Sequence, residues 1–430
     1  MRIIKKHPIS LTENLKKQLL LWAQQFNEVV WLDGNDYPQK HGSYRAILAV
    51  DAFTALKTDE RQAFDKLKDY QTITADWVFG YLSYDLKNDV EKLESNNFDG
   101  LNFPDLYFFQ PKKIFLFHDE LVEVQYLKLV EDEIEEDWKD ILKTNDVLQF
   151  ENKVKLKART SKVSYFQKVH SVLEHIKIGN IYEANFCQEF YSEAAVINPI
   201  KTYLDLNNIS KTPFSAFLKL DEFFALSASP ERYIKRTGDE VVSQPIKGTI
   251  RRSQDLRRDA QLALELANDP KERSENIMIV DLVRNDLSRV ASKGSVEVEE
   301  LCGVYSFMQV HQLISTISCR IPLETPSVEI LRYTFPMGSM TGAPKISAMK
   351  IMEDLEDAKR GVYSGSIGYF TPSGDFDFNV VIRSILYNSV KKYISFSVGG
   401  AITINSLPER EYEECLLKAK AMVEVLGSFE

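Results

Sequence analysis

Strand-like runs that follow one another, with helices between the groups, constrain the fold of this chain most. Short runs rich in β-branched and aromatic residues predict strands. In the second half of the chain they form two groups, near 213–220, 222–228 and 231–236, and near 362–371, 377–387 and 393–399. Turn residues at 372–374 separate two of the runs, as expected of antiparallel neighbours. We therefore predict an α+β fold, a layered α/β sandwich with large, mostly antiparallel sheets.

Helical patterns lie between and after these groups. Ser161 is a candidate N-cap for a helix whose apolar positions recur at helical spacing until Gly179. Further patterns predict helices near 254–268, 271–290, 345–357 and 409–428, and two short strands near 296–301 and 312–319.

Two regions follow one another along the chain. Residues 1–150 are rich in aromatics and in short runs, such as 29–32 and 113–117, that predict strands. Residues 160–428 carry the longer helical patterns, and we expect the two regions to pack together as one globular unit. The charged stretch 131–157 predicts either a surface connector or a helix with a solvated face.

Composition excludes several classes of protein. The net charge of −10 argues against nucleic acid as the main partner, so an anionic substrate would need local positive groups or backbone amides. The four cysteines, at 187, 302, 319 and 415, form no CxxC pair, which favours a reducing, cytoplasmic setting over a zinc knot. We find neither a signal-peptide pattern nor an apolar stretch of membrane-spanning length, and we expect a cytoplasmic protein.

Two predicted helices place carboxylates where an ion could be held. Glu275 shares a helix face with apolar residues, where a carboxylate is costly unless it is paired or bound to a metal. The alternative is a glutamate favoured by the helix dipole. Glu411, Glu414 and Lys418 share one face of the last helix, and the alternative there is a surface Glu–Lys pair. Two glutamates from separate helices would suit Mg²⁺.

Three segments that contain glycine are candidates for binding an anion or acting on it. Lys247 lies in a turn of small residues, where a desolvated lysine near a metal can be a nucleophile or base; the alternative is an ordinary loop lysine. The loop 335–345 precedes a helix, so its amides and the hydroxyls of Ser339 and Thr341 could hold an anion. In 399–401 a pair of glycines would let backbone amides approach a carboxylate.

These motifs occur in one order. The segment 227–232, Ser-Ala-Ser-Pro-Glu-Arg, is followed by the Lys247 turn, the Glu275 helix, the glycine-rich loop and the Glu414 helix. In this order and spacing, residues 160–428 resemble the chorismate-utilising enzymes, a family that includes the component I subunits of anthranilate synthase and aminodeoxychorismate synthase. The resemblance implies a fold like that of anthranilate synthase component I.

The resemblance also implies a role for each matching residue. Glu275 and Glu414 would bind Mg²⁺, with Glu411 beside them, and the ion would neutralise the ring carboxylate of chorismate and help the C4 hydroxyl to leave. Glu231 would be the general acid–base, and His311 would contact the ring carboxylate or the leaving oxygen. The substrate-binding residues would be Tyr363 and Arg383, at the enolpyruvyl carboxylate, and Gly248, Thr249, Ser339, Thr341, Gly399, Gly400, Ala401 and Lys418.

Lys247 distinguishes the branches of the family. Anthranilate synthases usually have alanine at this place, whereas aminodeoxychorismate synthases have a lysine that is proposed to attack C2 and expel the C4 hydroxyl before ammonia enters at C4. The resemblance therefore implies Mg²⁺-dependent amination of chorismate at C4, giving 4-amino-4-deoxychorismate on the route to 4-aminobenzoate and folate. The alternatives are anthranilate synthase component I of the tryptophan pathway, or a non-catalytic regulatory homologue.

The nitrogen source would be a separate protein. None of the four cysteines lies in the Gly-x-Cys-x-Gly turn of a glutaminase nucleophile. The resemblance implies a glutamine amidotransferase subunit as partner, or free ammonia at high concentration.

Overall fold

The computed structural model describes residues 1–38, 40–145 and 149–430. The strands are β1 (Arg2–Pro8), β2 (Glu28–Asp33), β3 (Ala46–Thr58), β4 (Val78–Leu82), β5 (Leu106–Phe117), β6 (Leu121–Leu127), β7 (Val154–Ala158), β8 (Glu183–Ser192), β9 (Phe214–Leu220), β10 (Phe223–Ser229), β11 (Arg232–Thr237), β12 (Glu240–Gln244), β13 (Ile246–Arg251), β14 (Glu297–Ser306), β15 (Val310–Arg320), β16 (Gly342–Ala343), β17 (Ser366–Phe370), β18 (Phe376–Asn379), β19 (Ser384–Asn388), β20 (Tyr393–Ile402) and β21 (Gly427–Phe429). The helices are α1 (Glu13–Ala23), α2 (Ala63–Thr74), α3 (Lys87–Val90), α4 (Ile134–Lys143), α5 (Lys162–Lys177), α6 (Pro199–Ser210), α7 (Leu256–Asn268), α8 (Pro270–Ser288), α9 (Ser327–Thr334), α10 (Lys345–Leu355) and α11 (Pro408–Leu426).

The strands pair almost entirely antiparallel. The pairing of β8 with β20 runs from Ser192 opposite Ile394 to Ala184 opposite Ile402 and carries one wall of the site described below. Strands from the first region join those of the second, because β2 pairs with β9 and β4 pairs with β17. The pair β7–β21 is parallel.

Alternating side chains of the strands pack into two cores. Val29 and Trp31 of β2 lie in a first core with residues of α1, α5, α6 and α11, whereas Val30 lies in a second core with residues of α2, α8 and α9. This follows from the two-residue period of a strand, which sends neighbouring side chains to opposite faces of the sheet. The helices therefore cover sheet layers on two sides, and the predicted α+β layered sandwich with mostly antiparallel strands is confirmed.

Several predicted elements are confirmed and one is wrong. Ser161 caps α5, and its side chain accepts a hydrogen bond from the Ser164 amide. The predicted strand 377–387 is two strands, β18 and β19. The chain turns between them, where Arg383 has a φ of +51°. A residue whose backbone lies in this left-handed region cannot continue a strand.

The stretch 131–157 is more than a surface connector. It contains α4, whose residues Ile134, Trp138 and Ile141 are buried in the first core. Most charged residues of α4 are exposed, so the prediction of a helix with a solvated face is confirmed for this part. Asp137 is the exception, because it accepts a hydrogen bond from the buried Lys113. Residues 146–148 of the stretch lie outside the described residues.

No helix in the three described ranges has a stretch that is both long and apolar enough to cross a membrane.

Candidate active site

An irregularity in β13 determines where Lys247 projects. The pairing of β13 with β15 shifts register between Ile246 and Thr249, and a bulge of this kind re-aims a side chain. Gly248 lies within the shift with a φ of +99°, a conformation that glycine adopts without strain. A Cβ added at Gly248 would also lie 3.0 Å from Leu313 Cδ1. The turn therefore needs glycine both for its backbone conformation and for its small size.

Lys247 lies among carboxylates from three elements. Its Nζ is 3.4 Å from Oε1 of Glu183, the first residue of β8, and Glu275 on α8 and Glu414 on α11 also act on its charge. Burial lowers the pKa of Lys247, but the attraction of the three carboxylates outweighs burial and holds this pKa above its ordinary value. The resting site therefore favours a protonated lysine, and chemistry that uses the free amine has to remove a proton.

Glu275 and Glu414 come from different helices but belong to one electrostatic cluster. Burial raises the pKa of Glu275, and the positive charges of Lys247 and Lys271 oppose that rise. Lys271 Nζ is 3.7 Å from Glu275, and Lys418 Nζ is 2.7 Å from Glu414. The charge of Lys418 lowers the pKa of Glu414. Each glutamate thus has its own nearby lysine in addition to the shared influence of Lys247.

Two further glutamates lie one helical turn before this pair. A Cβ added at Gly248 would lie 3.2 Å from Glu272 Oε2. One added at Gly400 would lie 3.3 Å from Glu411 Oε2 and 3.8 Å from Glu414 Oε1. The bare backbone of the two glycines therefore lies against carboxylates of both α8 and α11, and side chains there would crowd the cluster.

The chemistry of these carboxylates fits a Mg²⁺ ion. Glu275 and Glu414 offer hard oxygen ligands, and Mg²⁺ is usually held by one or two carboxylates, with water and substrate oxygens in the other positions. Within the described ranges, no group of three or more His, Cys, Asp and Glu side chains is arranged to hold a metal ion. Mg²⁺ binding by Glu275 and Glu414 stays a prediction.

Glu231 is a buried carboxyl group between β10 and β11. Burial raises its pKa to about 7, although hydrogen bonds from the Ser339 hydroxyl and the Ile246 amide, and the charges of Lys247 and Arg383, lower it. Near neutral pH such a group is present in both protonation states, which suits a general acid–base. The predicted acid–base therefore lies within electrostatic reach of the predicted nucleophile.

Arg383 presents a guanidinium group that donates no hydrogen bond to a carboxylate or carbonyl oxygen of the described residues but is attracted by the charge of Glu231. Its backbone is held by a hydrogen bond from the Ala228 amide to its carbonyl, at 3.2 Å. Burial lowers the pKa of Arg383, and the charge of Glu231 opposes this. In the part of the chain that the structure describes, the guanidinium has no hydrogen-bond acceptor. Because burying an unpaired charge is costly, the group suits an anionic ligand such as a carboxylate.

Part of the candidate pocket lies where β8 pairs with β20. Tyr363 and Lys418 contact this pair of strands near Gly399. Cys187 of β8 lies opposite Gly399, and its Sγ is 3.9 Å from Tyr363 Oη. A Cβ added at Gly399 would be only 2.6 Å from that sulfur. Lys418 Nζ donates a hydrogen bond to the Gly399 carbonyl at 2.8 Å. The predicted pocket segment 399–401 is therefore tied to both the sheet and α11.

The glycine-rich loop contributes one hydroxyl to the site. Ser339 is hydrogen-bonded to Glu231. Thr341 is buried, its Oγ1 donates to the Gly338 carbonyl at 3.1 Å, and its own carbonyl accepts from the Asn185 amide at 2.8 Å. Ser339 thus reaches the acid–base, whereas Thr341 closes the loop and ties it to the sheet.

The hydrogen-bond partners of His311 and Thr249 lie outside this cluster. His311 Nε2 is 3.1 Å from Asp259 Oδ1 on α7, and its Nδ1 is 2.8 Å from Ser306 Oγ. Thr249 is exposed, and its Oγ1 accepts a hydrogen bond from Gln312 Nε2 at 3.2 Å. Neither side chain is hydrogen-bonded to the predicted acid–base or nucleophile among the described residues, and their roles stay predictions.

Glu183 is the candidate that the sequence analysis missed. It begins β8 and is buried, as are all residues from 183 to 190. The available signal was a glutamate at the start of a long strand, which more often marks a solvated strand end. Its meeting with Lys247 depends on how β8 and β13 are placed in the sheet, and no local pattern encodes that.

The fold and this cluster of acidic and basic groups define a class of protein. Residues 9–424 match the family model described as chorismate binding enzyme. Since the match covers nearly the whole chain, the chain belongs to the chorismate-binding enzyme family.

Individual relatives carry two different names. The chain is 41% identical over 262 residues to aminodeoxychorismate synthase component 1 of Escherichia coli (strain K12), which covers 61% of this chain and 57% of that protein. It is 33% identical over 359 residues to anthranilate synthase component 1 of Thermus thermophilus, covering 81% of this chain and 77% of the relative. The match to the E. coli protein thus spans little more than half of its length.

The fold is shared with a solved structure. The crystal structure of anthranilate synthase component I from Streptococcus pneumoniae TIGR4 superposes with a TM-score of 0.77 at 24% identity, over 90% of this chain and 95% of that one. The likeness confirms the fold expected from the sequence resemblance.

Proposed function

We propose that the chain aminates chorismate at C4 with ammonia and thereby forms 4-amino-4-deoxychorismate. The observation that carries the proposal is the position of Lys247, aimed by the bulge in β13 among Glu183, Glu275 and Glu414. Glu231, whose pKa is about 7, lies within reach of the same lysine. The name of the E. coli relative agrees with this reaction.

Lys247 would act as the nucleophile. Its neutral amine would attack C2 of chorismate, the ring double bonds would shift, and the C4 hydroxyl would leave with a proton from Glu231 as water. Ammonia would then form a bond to C4 and return the electron pair of the C2–N bond to Lys247. The carboxylate of Glu231 would accept the proton that the new C4 amine loses, which resets the site.

Other residues of the chain would hold the substrate. The guanidinium of Arg383 would pair with the enolpyruvyl carboxylate, and the Tyr363 hydroxyl would add a hydrogen bond. The bare backbone of 399–401 would let that part of the substrate approach the sheet. These contacts orient C2 toward Lys247 and C4 toward Glu231.

Glu275 and Glu414 would hold Mg²⁺ at the ring carboxylate. Mg²⁺, when bound, supplies positive charge that offsets the carboxylate and eases departure of the C4 hydroxyl. Without that charge, the ring carboxylate would be repelled by the glutamates of α8 and α11.

A separate subunit would supply ammonia. The relatives are named component 1, which implies a second component, and none of the four cysteines of this chain lies in a glutaminase nucleophile turn. We therefore expect a glutamine amidotransferase as partner and ammonium salts as a substitute in the test tube.

The test is product identification. The purified chain is mixed with chorismate, Mg²⁺ and an ammonium salt, and products are separated by liquid chromatography with mass detection. The proposal expects a product with the mass of aminodeoxychorismate that becomes 4-aminobenzoate only when an aminodeoxychorismate lyase is added. Direct formation of fluorescent anthranilate would refute it, as would absence of chorismate turnover with ammonium or with an amidotransferase present.

Anthranilate synthesis is the second candidate. It is favoured by the relative from T. thermophilus, because the match covers 77% of that protein but 57% of the E. coli protein. The lysine at 247 argues against it, because the resemblance associates alanine with that reaction.

A further inference from the structure

The mechanism proposed above needs a base that removes a proton from Lys247. Lys247 is held protonated by its surroundings, and an ammonium group has no lone pair with which to attack carbon. A nearby group has to remove the proton before the bond to C2 can form. We propose that Glu183 is this group: it accepts a proton from Lys247 and returns it when the lysine leaves the ring. This inference rests on the proposed function.

The distance between the two groups permits the transfer. Glu183 Oε1 lies 3.4 Å from Lys247 Nζ, slightly longer than an ideal hydrogen bond, as is common for catalytic contacts without substrate. The glutamate side chain is 2% exposed and the lysine side chain 16%, so little water competes for the proton.

The backbone around Glu183 is fixed from both sides. Glu183 pairs with Ala343 of β16, and the next residue, Ala184, pairs with Ile402 of β20. A Cβ added at Gly342 would be 2.3 Å from the Glu183 carbonyl oxygen, so the two strands approach as closely as glycine allows. The backbone that carries the Glu183 carboxylate is therefore held in place near Lys247.

The second oxygen of Glu183 is free to take part. Its Oε2 is buried and, among the described residues, has no hydrogen-bond partner. By contrast, Glu275 and Glu414 each lie near a further lysine, at 3.7 and 2.7 Å. Lys247 is the one cation that the structure brings within ion-pair distance of Glu183 in the described ranges. Transfer of the proton from Lys247 to Glu183 would therefore leave two neutral groups and no unpaired buried charge.

The transfer balances in both directions. One N–H bond of the Lys247 ammonium breaks, its electron pair stays on Nζ, and the proton binds Oε1 of Glu183. The amine then bonds to C2 as Glu231 protonates the departing C4 hydroxyl. When ammonia displaces the lysine, the C2–N electron pair returns to Nζ, which takes the proton back from Glu183.

Several charged groups face Lys247. Among those that the structure describes, only Glu183 both contacts Lys247 and has a carboxylate oxygen without a hydrogen-bond partner. Besides Glu183 on β8, Lys247 faces Glu275 from α8, Glu414 from α11 and Glu231 from the start of β11. Glu272 of α8 lies against the neighbouring Gly248. Mg²⁺ at Glu275 and Glu414 would occupy those two carboxylates, and the C4 hydroxyl would occupy Glu231.

The first test compares pH profiles. Glu183→Gln keeps the size of the side chain but cannot accept a proton. We expect amination by the variant to be at least about tenfold slower near neutral pH. Its rate should rise with pH up to about 7, because hydroxide must then remove the proton, and level off above that, where Glu231 loses its own proton. Glu183→Asp should recover part of the rate. Glu189→Gln is the matched control: it is a buried glutamate of the same strand, paired with Arg159 away from Lys247, and its pH profile should equal that of the wild type. Equal rates and profiles for wild type and Glu183→Gln would overturn the proposal.

The second test needs no turnover. The rate at which acetic anhydride labels Lys247 is followed by peptide mass spectrometry between pH 6 and 11, since only the neutral amine reacts. In Glu183→Gln the negative charge is removed, so labelling should begin at a lower pH than in the wild type. An unchanged labelling curve would refute the shared proton. If the wild type fails to aminate chorismate, the proposed function is wrong, while the labelling curve still decides whether the two groups share a proton.

Discussion

The sheet side and the helix side of the candidate site surround their carboxyl groups differently. On the sheet side, Glu183 and Glu231 are 2% and 4% exposed, and burial raises the pKa of Glu231 to about 7. On the helix side, Glu275 and Glu414 each lie near a lysine of their own helix, at 3.7 and 2.7 Å. Burial raises the pKa of Glu275, whereas Lys418 lowers that of Glu414. Burial favours the neutral form of a carboxyl group near neutral pH, whereas a nearby lysine favours the charged form, which a hydrated cation needs. We therefore expect proton chemistry on the sheet side and ion binding on the helix side.

Loss of Lys247 should have the largest effect. Lys247→Met keeps the length of the side chain but removes the amine, and we expect amination at C4 to fall about a thousandfold or more, as for other nucleophiles. Product formation with chorismate, Mg²⁺ and ammonium measures it. If the variant formed aminodeoxychorismate at the wild-type rate, Lys247 would not be the nucleophile.

Loss of the acid–base should cost less and change the pH profile. Because Glu231 must be protonated to assist the leaving hydroxyl, the wild-type rate should fall as pH rises through about 7. Glu231→Gln should lose about a hundredfold in rate and show no such fall. A variant that retained the wild-type profile would show that another group donates the proton.

Changes on the helix side should act through Mg²⁺. Glu275→Gln and Glu414→Gln should each raise the Mg²⁺ concentration for half-maximal activity by about tenfold or more. Glu413→Gln is the control, since Glu413 is an exposed neighbour on the same helix. Titration of activity with Mg²⁺ measures the effect, and a response identical to that of the control would contradict the division between the two sides.

The smallest effect should come from the turn that aims Lys247. Gly248→Ala places a side chain at a φ of +99° and against Leu313, which should lower the free energy of unfolding by about 1–3 kcal/mol. Gly238→Ala has a φ of +61° and open space around the added Cβ, so it should cost less. Denaturant unfolding of both variants measures the difference. Equal losses would mean that the contact with Leu313 is unimportant.

The sequence predicts the helices that carry the site better than the directions of its strand residues. Helical periodicity identified α5, α8 and α11, and a predicted N-cap at Ser161 identified the start of α5, because those signals are local. The prediction of one strand over 377–387 was wrong because the backbone of Arg383 leaves the extended region. An arginine gives no sequence signal for such a conformation.

The predicted site was incomplete for a similar reason. Glu183 meets Lys247 only because of the way that β8 pairs with β16 and β20, and the pairing joins segments far apart in the chain. His311 Nε2 lies 3.1 Å from Asp259 Oδ1 of α7, and its expected contact with the substrate stays a prediction. Which way a strand residue points, and toward which neighbour, depends on register between strands, which a single sequence does not specify.

The most direct test of the division between sheet and helices is a crystal structure of the protein with Mg²⁺ and chorismate in the absence of ammonia. The account predicts Mg²⁺ bound by Glu275 and Glu414 at the ring carboxylate, and Nζ of Lys247 at or bonded to C2 of the ring. An ion held elsewhere, or a Lys247 side chain turned away from the ring, would contradict it.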